Sequence, residues 1–263
     1  MEKREIDLAV SCYGKVKDVK YDAVILPWGA TEPHNLHLPY LTDCILPHDI
    51  AVDAAMLALK RSGVRCMVMP PVPFGAHNPG QRELPFCIHT RYATQQAILE
   101  DIVASLYAQG MRKLIIVSGH GGNNFKGMIR DLAFSYPDFL IIATDWFSLV
   151  PTKDYFEAEI DDHAGEQETS VMMHYHPELV NLNEAGDGDS KPFAISSLNE
   201  KLGWAPRHWD KATVDSGVGN PKKASAEKGE RYVKPIIEKL AKLFTEVGPV
   251  SYTHLTLPTS DLV

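Results

Sequence analysis

Short runs of consecutive apolar residues alternate along this chain with longer stretches in which apolar positions recur every three or four residues. The runs Ala23–Pro27 (AVILP), Arg65–Met69 (RCMVM), Lys113–Ser118 (KLIIVS) and Phe139–Thr144 (FLIIAT) read as strands. Between them, residues 45–61 carry Pro47 near the first turn and stop before Gly63. Tyr92–Ala108 sets Ile98, Ile102 and Leu106 on one face and ends at Gly110. Phe125, Met128, Ile129 and Leu132 mark a third helical stripe, and Ser170–His176 and residues 224–245 give two more. This alternation implies an α/β fold with a mainly parallel sheet covered by helices on both faces.

Two stretches break the pattern. Residues 181–222 are rich in Gly, Pro, Asn and Asp and contain the patch Trp204–Trp209 (WAPRHW), in which Trp204, Arg207 and Trp209 suit a lid or an interface. Residues 251–263 follow Gly248 and Pro249, lack helical period, and are expected to be an untethered or non-native tail, so that one domain spans 1–250.

The composition narrows the ligand class. Of 263 residues, 26 are Lys or Arg and 34 Asp or Glu, a net charge of −8 that argues against nucleic acid or an anionic membrane as partner and for a small molecule. Cys12, Cys44, Cys66 and Cys87 form no CxxC pair, and no apolar run reaches the ~18 residues of a membrane span. The expectation is a cytoplasmic protein with free thiols.

Candidate chemistry lies where strands end. Directly after the first strand, Leu26–Asp49 holds Glu32, His34, His37, Asp43, His48 and Asp49. Pro33 keeps Glu32 extended, so Glu32 and His34 point the same way. Asp43 returns nine residues after His34, placed either to cap a helix or to offer two oxygens to metal. The segment Ser118–Asn124 (SGHGGNN) sets His120 among glycines before a helix, where Gly121 lets a ligand approach the backbone. A phosphate cradle would need the GxxxxGK[ST] spacing, which is missing. In Asp161–Ser170 (DDHAGEQETS), Glu166 and Glu168 read either as a charged first turn or as ligands, with His163 adding an imidazole. Asn78, in the loop after the second strand, and Trp146, after the fourth, are the candidate substrate contacts.

The stretches WGATEPHNLHLPYLTD, SGHGGN and HAGEQETSVMM, in this order, resemble the creatininase (creatinine amidohydrolase) family over roughly Ala23 to Val180. The resemblance implies a three-layer α/β/α protein with two divalent metal ions, Zn²⁺ with Mn²⁺ or Fe²⁺, assembled as a homohexamer. It places Glu32, His34, Asp43 and His120 at ligand positions, with Asp43 bridging. Where creatininase carries a Glu in the second stretch this chain has Gly122, so a ligand must come from elsewhere, Glu168 first and Glu166 second. The Trp that precedes the third-stretch His is replaced by Glu159-Ile160-Asp161, and a Phe-Pro-Gly-Thr turn by Leu84-Pro85-Phe86-Cys87. Both changes argue against creatinine. The expected activity is hydrolysis of a C–N amide-type bond in a small molecule, with His163 moving a proton to the leaving nitrogen. The rival classes are a metal-binding sensor that lacks the proton shuttle and a phosphate-binding module.

Overall fold

A computed structural model describes residues 5–250. Its elements of interest are α1 (Tyr13–Val16), β1 (Ala23–Trp28), α2 (Thr42–Ser62), β2 (Cys66–Val68), α3 (Tyr92–Ala108), β3 (Lys113–Ser118), α4 (Phe125–Ser135) and β4 (Leu140–Asp145). After them come β5 (Asp161–His163), α5 (Glu166–Tyr175), α6 (Ser196–Asn199), α7 (Trp209–Ala212), β6 (Val218–Gly219) and α8 (Ala226–Val247). The central sheet runs β2-β1-β3-β4, every pair parallel, with Ile25 opposite both Val68 and Ile115, and Ile115 opposite Ile142. Parallel strands need crossovers, and α2, α3 and α4 supply them.

β1 and β3 are buried along almost their whole length because helices lie on both faces. On one face α2, α5 and α8 enclose Ile50, Ala54, Met172, Tyr232, Ile236 and Phe244. On the other, α3 and α4 bury Leu99, Val103, Met128 and Leu132 against Val24, Leu26 and Ile116. The buried stripe of α3 therefore runs through Gln95, Leu99, Val103 and Leu106. Ile98 and Ile102, expected at its centre, pack at its edge.

The strands and helices expected from the periodicity are present, with shifted ends. α2 starts at Thr42, three residues before the expected boundary, and α5 starts at Glu166, four before. Residues 181–222 hold the short helices α6 and α7 and the strand β6, which pairs antiparallel with β5. The segment is pinned to the body by Asn35, whose amide oxygen accepts from Gly186 N–H at 2.9 Å. The tail 251–263 lies outside the described residues. None of the helices among the described residues is long and apolar enough to cross a membrane. All four cysteines are free.

Candidate metal centre

The site forms at the carboxyl ends of β1 and β3, the edge of a parallel sheet where ligand crevices lie. β1 delivers Glu32 and His34 in the loop that follows it, and α2 delivers Asp43 in its first turn. Asp43 is not the helix cap, because Leu41 occupies that position and the carboxylate turns into the protein. Pro47 lacks the N–H that would pair the Asp43 carbonyl four residues back. That carbonyl instead faces Gly29 and Gly119, where a Cβ on either glycine would overlap it. Glycine at the ends of both strands is what lets the first turn of α2 come so close.

Asp43 divides its oxygens between two imidazoles. Oδ1 lies 3.0 Å from His34 Nε2, and Oδ2 lies 2.9 Å from His120 Nδ1. Each ring is oriented by its other nitrogen, for His34 Nδ1 donates to the Glu32 carbonyl at 3.1 Å and His120 Nε2 to the Ala76 carbonyl at 2.7 Å. Backbone carbonyls behind a ring are the usual way a metal-ligating histidine is held in one tautomer. His120 Nδ1 is also 2.8 Å from Glu32 Oε1. Yet Glu32 Oε1 and Asp43 Oδ2 are buried with no hydrogen-bond partner. Donor atoms that converge on a point without hydrogen-bond geometry form a cradle for a cation.

Glu168, in the first turn of α5, completes a group with His34 and Asp43, and His163 forms another with Glu32 and His34. Glu168 Oε2 accepts from Ala164 N–H at 2.6 Å. Glu166 faces elsewhere, its carboxylate taken by the N–H groups of Glu157 and Ala158 and by Lys228. The His163 ring stands 4.3 Å from that of His34, and its Nε2 donates to the Pro33 carbonyl at 2.9 Å.

Electrostatics describe a cluster that needs positive charge. Burial pushes the Glu32 carboxyl up, but the neighbouring His120 and His163 outweigh it and hold it well below the usual carboxylate range. Burial alone would make His34 neutral, and Asp43 beside it raises its pKa to about 10. His120 is raised by Glu32 and Asp43 against its burial. Burial raises Glu168. Buried carboxylates of one sign are tolerated only with cations between them, and divalent metals are the cations this donor set suits. Two carboxylates facing His120 also exclude the phosphate-cradle reading.

Residues that were not expected appear around this core. His77, from the loop after β2, groups with Glu32 and His120. Burial lowers its pKa to about 4, which keeps it neutral. Gln81, from the same loop, donates its amide to Glu32 Oε2 and holds that carboxylate in place. In sequence, nothing in the spacing of His77 to Glu83, Cys87 or His89 singles it out as a partner of Glu32. Asn78 is half-buried and donates its N–H to Gln81 Oε1 at 2.8 Å. Gly121 is exposed, with open space where a side chain would lie. Trp146 is in the core, 1% exposed, with its ring edge-on to Phe147 and Tyr232 and its Nε1 without a partner.

The aromatic patch divides. Trp209 is buried, its ring edge-on to His163 at 5.4 Å, and its Nε1 donates to the Ser216 carbonyl at 3.2 Å. Arg207 stacks over it and pairs with Asp162, while Trp204 is 85% exposed. An indole thus stands beside His163 although the residues just before it, Glu159 to Asp162, include none.

Comparisons with known proteins show which family the chain falls in. The family model described as creatinine amidohydrolase matches residues 13–244. The creatinine amidohydrolase of Pseudomonas putida is 26% identical over 250 residues, covering 86% of this chain and 90% of that protein. A mycofactocin precursor peptide peptidase of Mycolicibacterium smegmatis is 29% identical over 226 residues, covering 83% and 82%. The 3-dehydro-scyllo-inosose hydrolase of Thermotoga maritima is 26% identical over 250 residues, covering 86% and 78%. Among solved structures, a Bacteroides fragilis NCTC 9343 protein provisionally described as a creatinine amidohydrolase superposes with a TM-score of 0.94 at 82% identity, covering 95% of this chain and 99% of that one. A mutant creatininase of Zn-Zn type superposes at 0.69 with 24% identity, over 87% of this chain and 91% of its own, and a creatininase Mn form at 0.71 with 22%, over 93% and 99%. With a family model over most of its length and the donor cluster in place, this chain belongs to the creatininase family of metal-dependent amidohydrolases.

Proposed function

We propose that this chain uses two divalent ions, Zn²⁺ with Mn²⁺ or Fe²⁺, to cleave a C–N amide-type bond in a small molecule other than creatinine. The observation that carries the reading is the split of Asp43 between His34 and His120, with Glu32 on one side and Glu168 on the other. Glu32 and His120 would hold one ion, His34 and Glu168 the other, and Asp43 both. Bound there, a divalent ion supplies a water acidified to a pKa near 7 and polarises the carbonyl.

The chain's own groups do the rest. His163 is fixed with Nε2–H on the Pro33 carbonyl, so Nδ1 is the nitrogen left to carry a proton to the leaving amine. Trp209 closes one side of that ring and limits how it can turn. Gly121 leaves room at the backbone for a substrate, and Asn78 lies beside the Gln81 that holds Glu32. A small substrate is favoured because Glu32, His34, Asp43, His120 and His163 are all buried. Creatinine is disfavoured because Ile160 and the Phe86 turn point into solvent where the family resemblance implies ring-lining residues. A cytoplasmic homo-oligomer, a hexamer, completes the reading, supported by the free thiols and the exposed Leu202 and Trp204.

A panel of cyclic amides, formamides, short peptides and creatinine, assayed with metal-replete protein, tests the proposal. Turnover of a cyclic amide or formamide, lost in Glu32→Gln, is the expected result. Turnover of peptides alone, or of creatinine at kcat/KM of ~10⁴ M⁻¹s⁻¹ or more, would refute it.

A further inference from the structure

We infer that His77 is a metal ligand, joining Glu32 and His120 in a pocket of one carboxylate and two imidazoles; the inference rests on the metal-centre reading above. The side chain of His77 is fully buried, and neither ring nitrogen has a hydrogen-bond partner. A buried imidazole with both nitrogens unpaired forfeits the hydrogen bonds it makes in water, and native interiors rarely tolerate that without a partner. Its Nε2 lies 3.7 Å from Glu32 Oε2, and its ring centroid is 5.0 Å from that of His120. Donor atoms of all three residues fall within 4.8 Å of one another.

The loop that carries His77 is built into the site. Ala76 takes the His120 Nε2–H on its carbonyl, and its own N–H donates to the Asn123 side chain at 3.2 Å. The Asn123 amide in turn donates to the Gly29 carbonyl at 3.2 Å. Two residues beyond His120, Gly122 packs so close to Ala76 that a Cβ would overlap the Ala76 carbonyl and approach His120 Nε2. A side chain at 122 therefore has no path to the metals in this chain. The loop occupies that flank of the centre and presents a nitrogen donor in its place. One carboxylate with two imidazoles is a set that zinc accepts in catalytic sites with a position left open.

The test is a titration of metal-free protein with Zn²⁺ alone, followed by calorimetry, in wild type, His77→Ala, His77→Asn and Glu32→Gln, each checked for folding by circular dichroism. Wild type should bind two ions per chain. Both His77 variants should hold one ion as wild type does and the other at least about tenfold more weakly. Co²⁺ loading separates direct ligation from a supporting role, because loss of a nitrogen ligand alters the visible absorption of one of the two ions. Wild-type affinities and an unchanged Co²⁺ spectrum in both His77 variants, with zinc lost from Glu32→Gln, would overturn the role of His77 alone. Retention of both ions by Glu32→Gln would overturn the centre itself.

Discussion

Gly122 and Ala76 are packed against each other so that hydrogen is the only side chain position 122 accepts without displacing the Ala76 carbonyl. That carbonyl holds His120 in its tautomer, so the steric constraint and the metal-ligand geometry are one constraint. Gly122→Ala should therefore act on metal binding rather than only on stability. Overpacking of this kind costs about 1–3 kcal/mol. The expected variant is folded, melts several degrees lower, and loses affinity for one zinc ion. Wild-type zinc affinity would show that the loop can shift at no cost.

His163 and Glu168 should fail in different ways. His163→Ala should keep both ions and lose about 10²–10⁴ in kcat, the usual worth of a positioned proton donor. Glu168→Gln should lose one ion together with activity, since its carboxylate shares a donor group with His34 and Asp43. Elemental analysis beside steady-state kinetics reads both. A Glu168→Gln protein with two ions would remove Glu168 from the ligand set, and Glu166, already committed to Lys228 and two backbone N–H groups, is not placed to replace it.

Metal removal should destabilise the protein, because Glu32, Asp43 and Glu168 are gathered in one buried cluster. Chelation is expected to lower Tm by several degrees and re-addition of Zn²⁺ to restore it, as any ligand that binds only the folded state does. An identical Tm with and without metal would mean that the cluster is indifferent to cations.

A second set of charges joins α2 to α5 away from the metal centre. His176 Nε2 lies 2.7 Å from Asp49, which also faces His48. Burial disfavours both charged histidines, but Asp49 together with Asp7 outweighs it at His48, and Asp49 together with Glu178 at His176, raising each above 6.5; burial raises Asp49, and the two histidines outweigh it to bring it below 3.8. A raised histidine contributes stability fully below its unfolded pKa and loses it as pH rises through the folded one. A depressed carboxylate contributes above its unfolded pKa and loses it as pH falls. The tie should be strongest between about pH 4 and 6.5. Chemical denaturation across pH should show that Asp49→Asn flattens this maximum, and an unchanged profile would remove the tie from the pH dependence.

Light scattering should read a hexamer. Leu202 and Trp204, 76% and 85% exposed near α6, are the residues whose joint replacement by Glu is expected to give smaller species. A monomeric, active wild type would leave those side chains without that role.

The fold was legible because buried parallel strands need unbroken apolar runs, and KLIIVS and AVILP can be little else. β5 and β6 leave no such mark, because DDH and VG are too short and too polar or small to carry a period. In the site, Glu32, His34 and Asp43 could be read together because 12 residues span all three. His77 and Gln81 could not, for their meeting with Glu32 depends on a loop folding back over β1. Trp146 illustrates a different limit: its place after β4 follows from the pattern, but the direction of its ring into the core follows from Tyr232 on α8, more than 80 residues later.

The contact of the Asp43 carbonyl with Gly29 and Gly119 has a consequence for redesign. The Asp43 carboxylate, set between His34 and His120, is registered against the ends of two central strands through main-chain atoms, whereas groups around it come from the loop carrying His77 and Gln81 and, through Trp209 beside His163, from residues 181–222. The position of the carboxylate and the groups around it are thus set by separate parts of the chain. Grafting new segments of those kinds onto this scaffold should change what enters the site while the carboxylate stays where the strands hold it. A single methyl group at position 29 or 119, by contrast, would push on Asp43 itself, and no change in those segments could compensate.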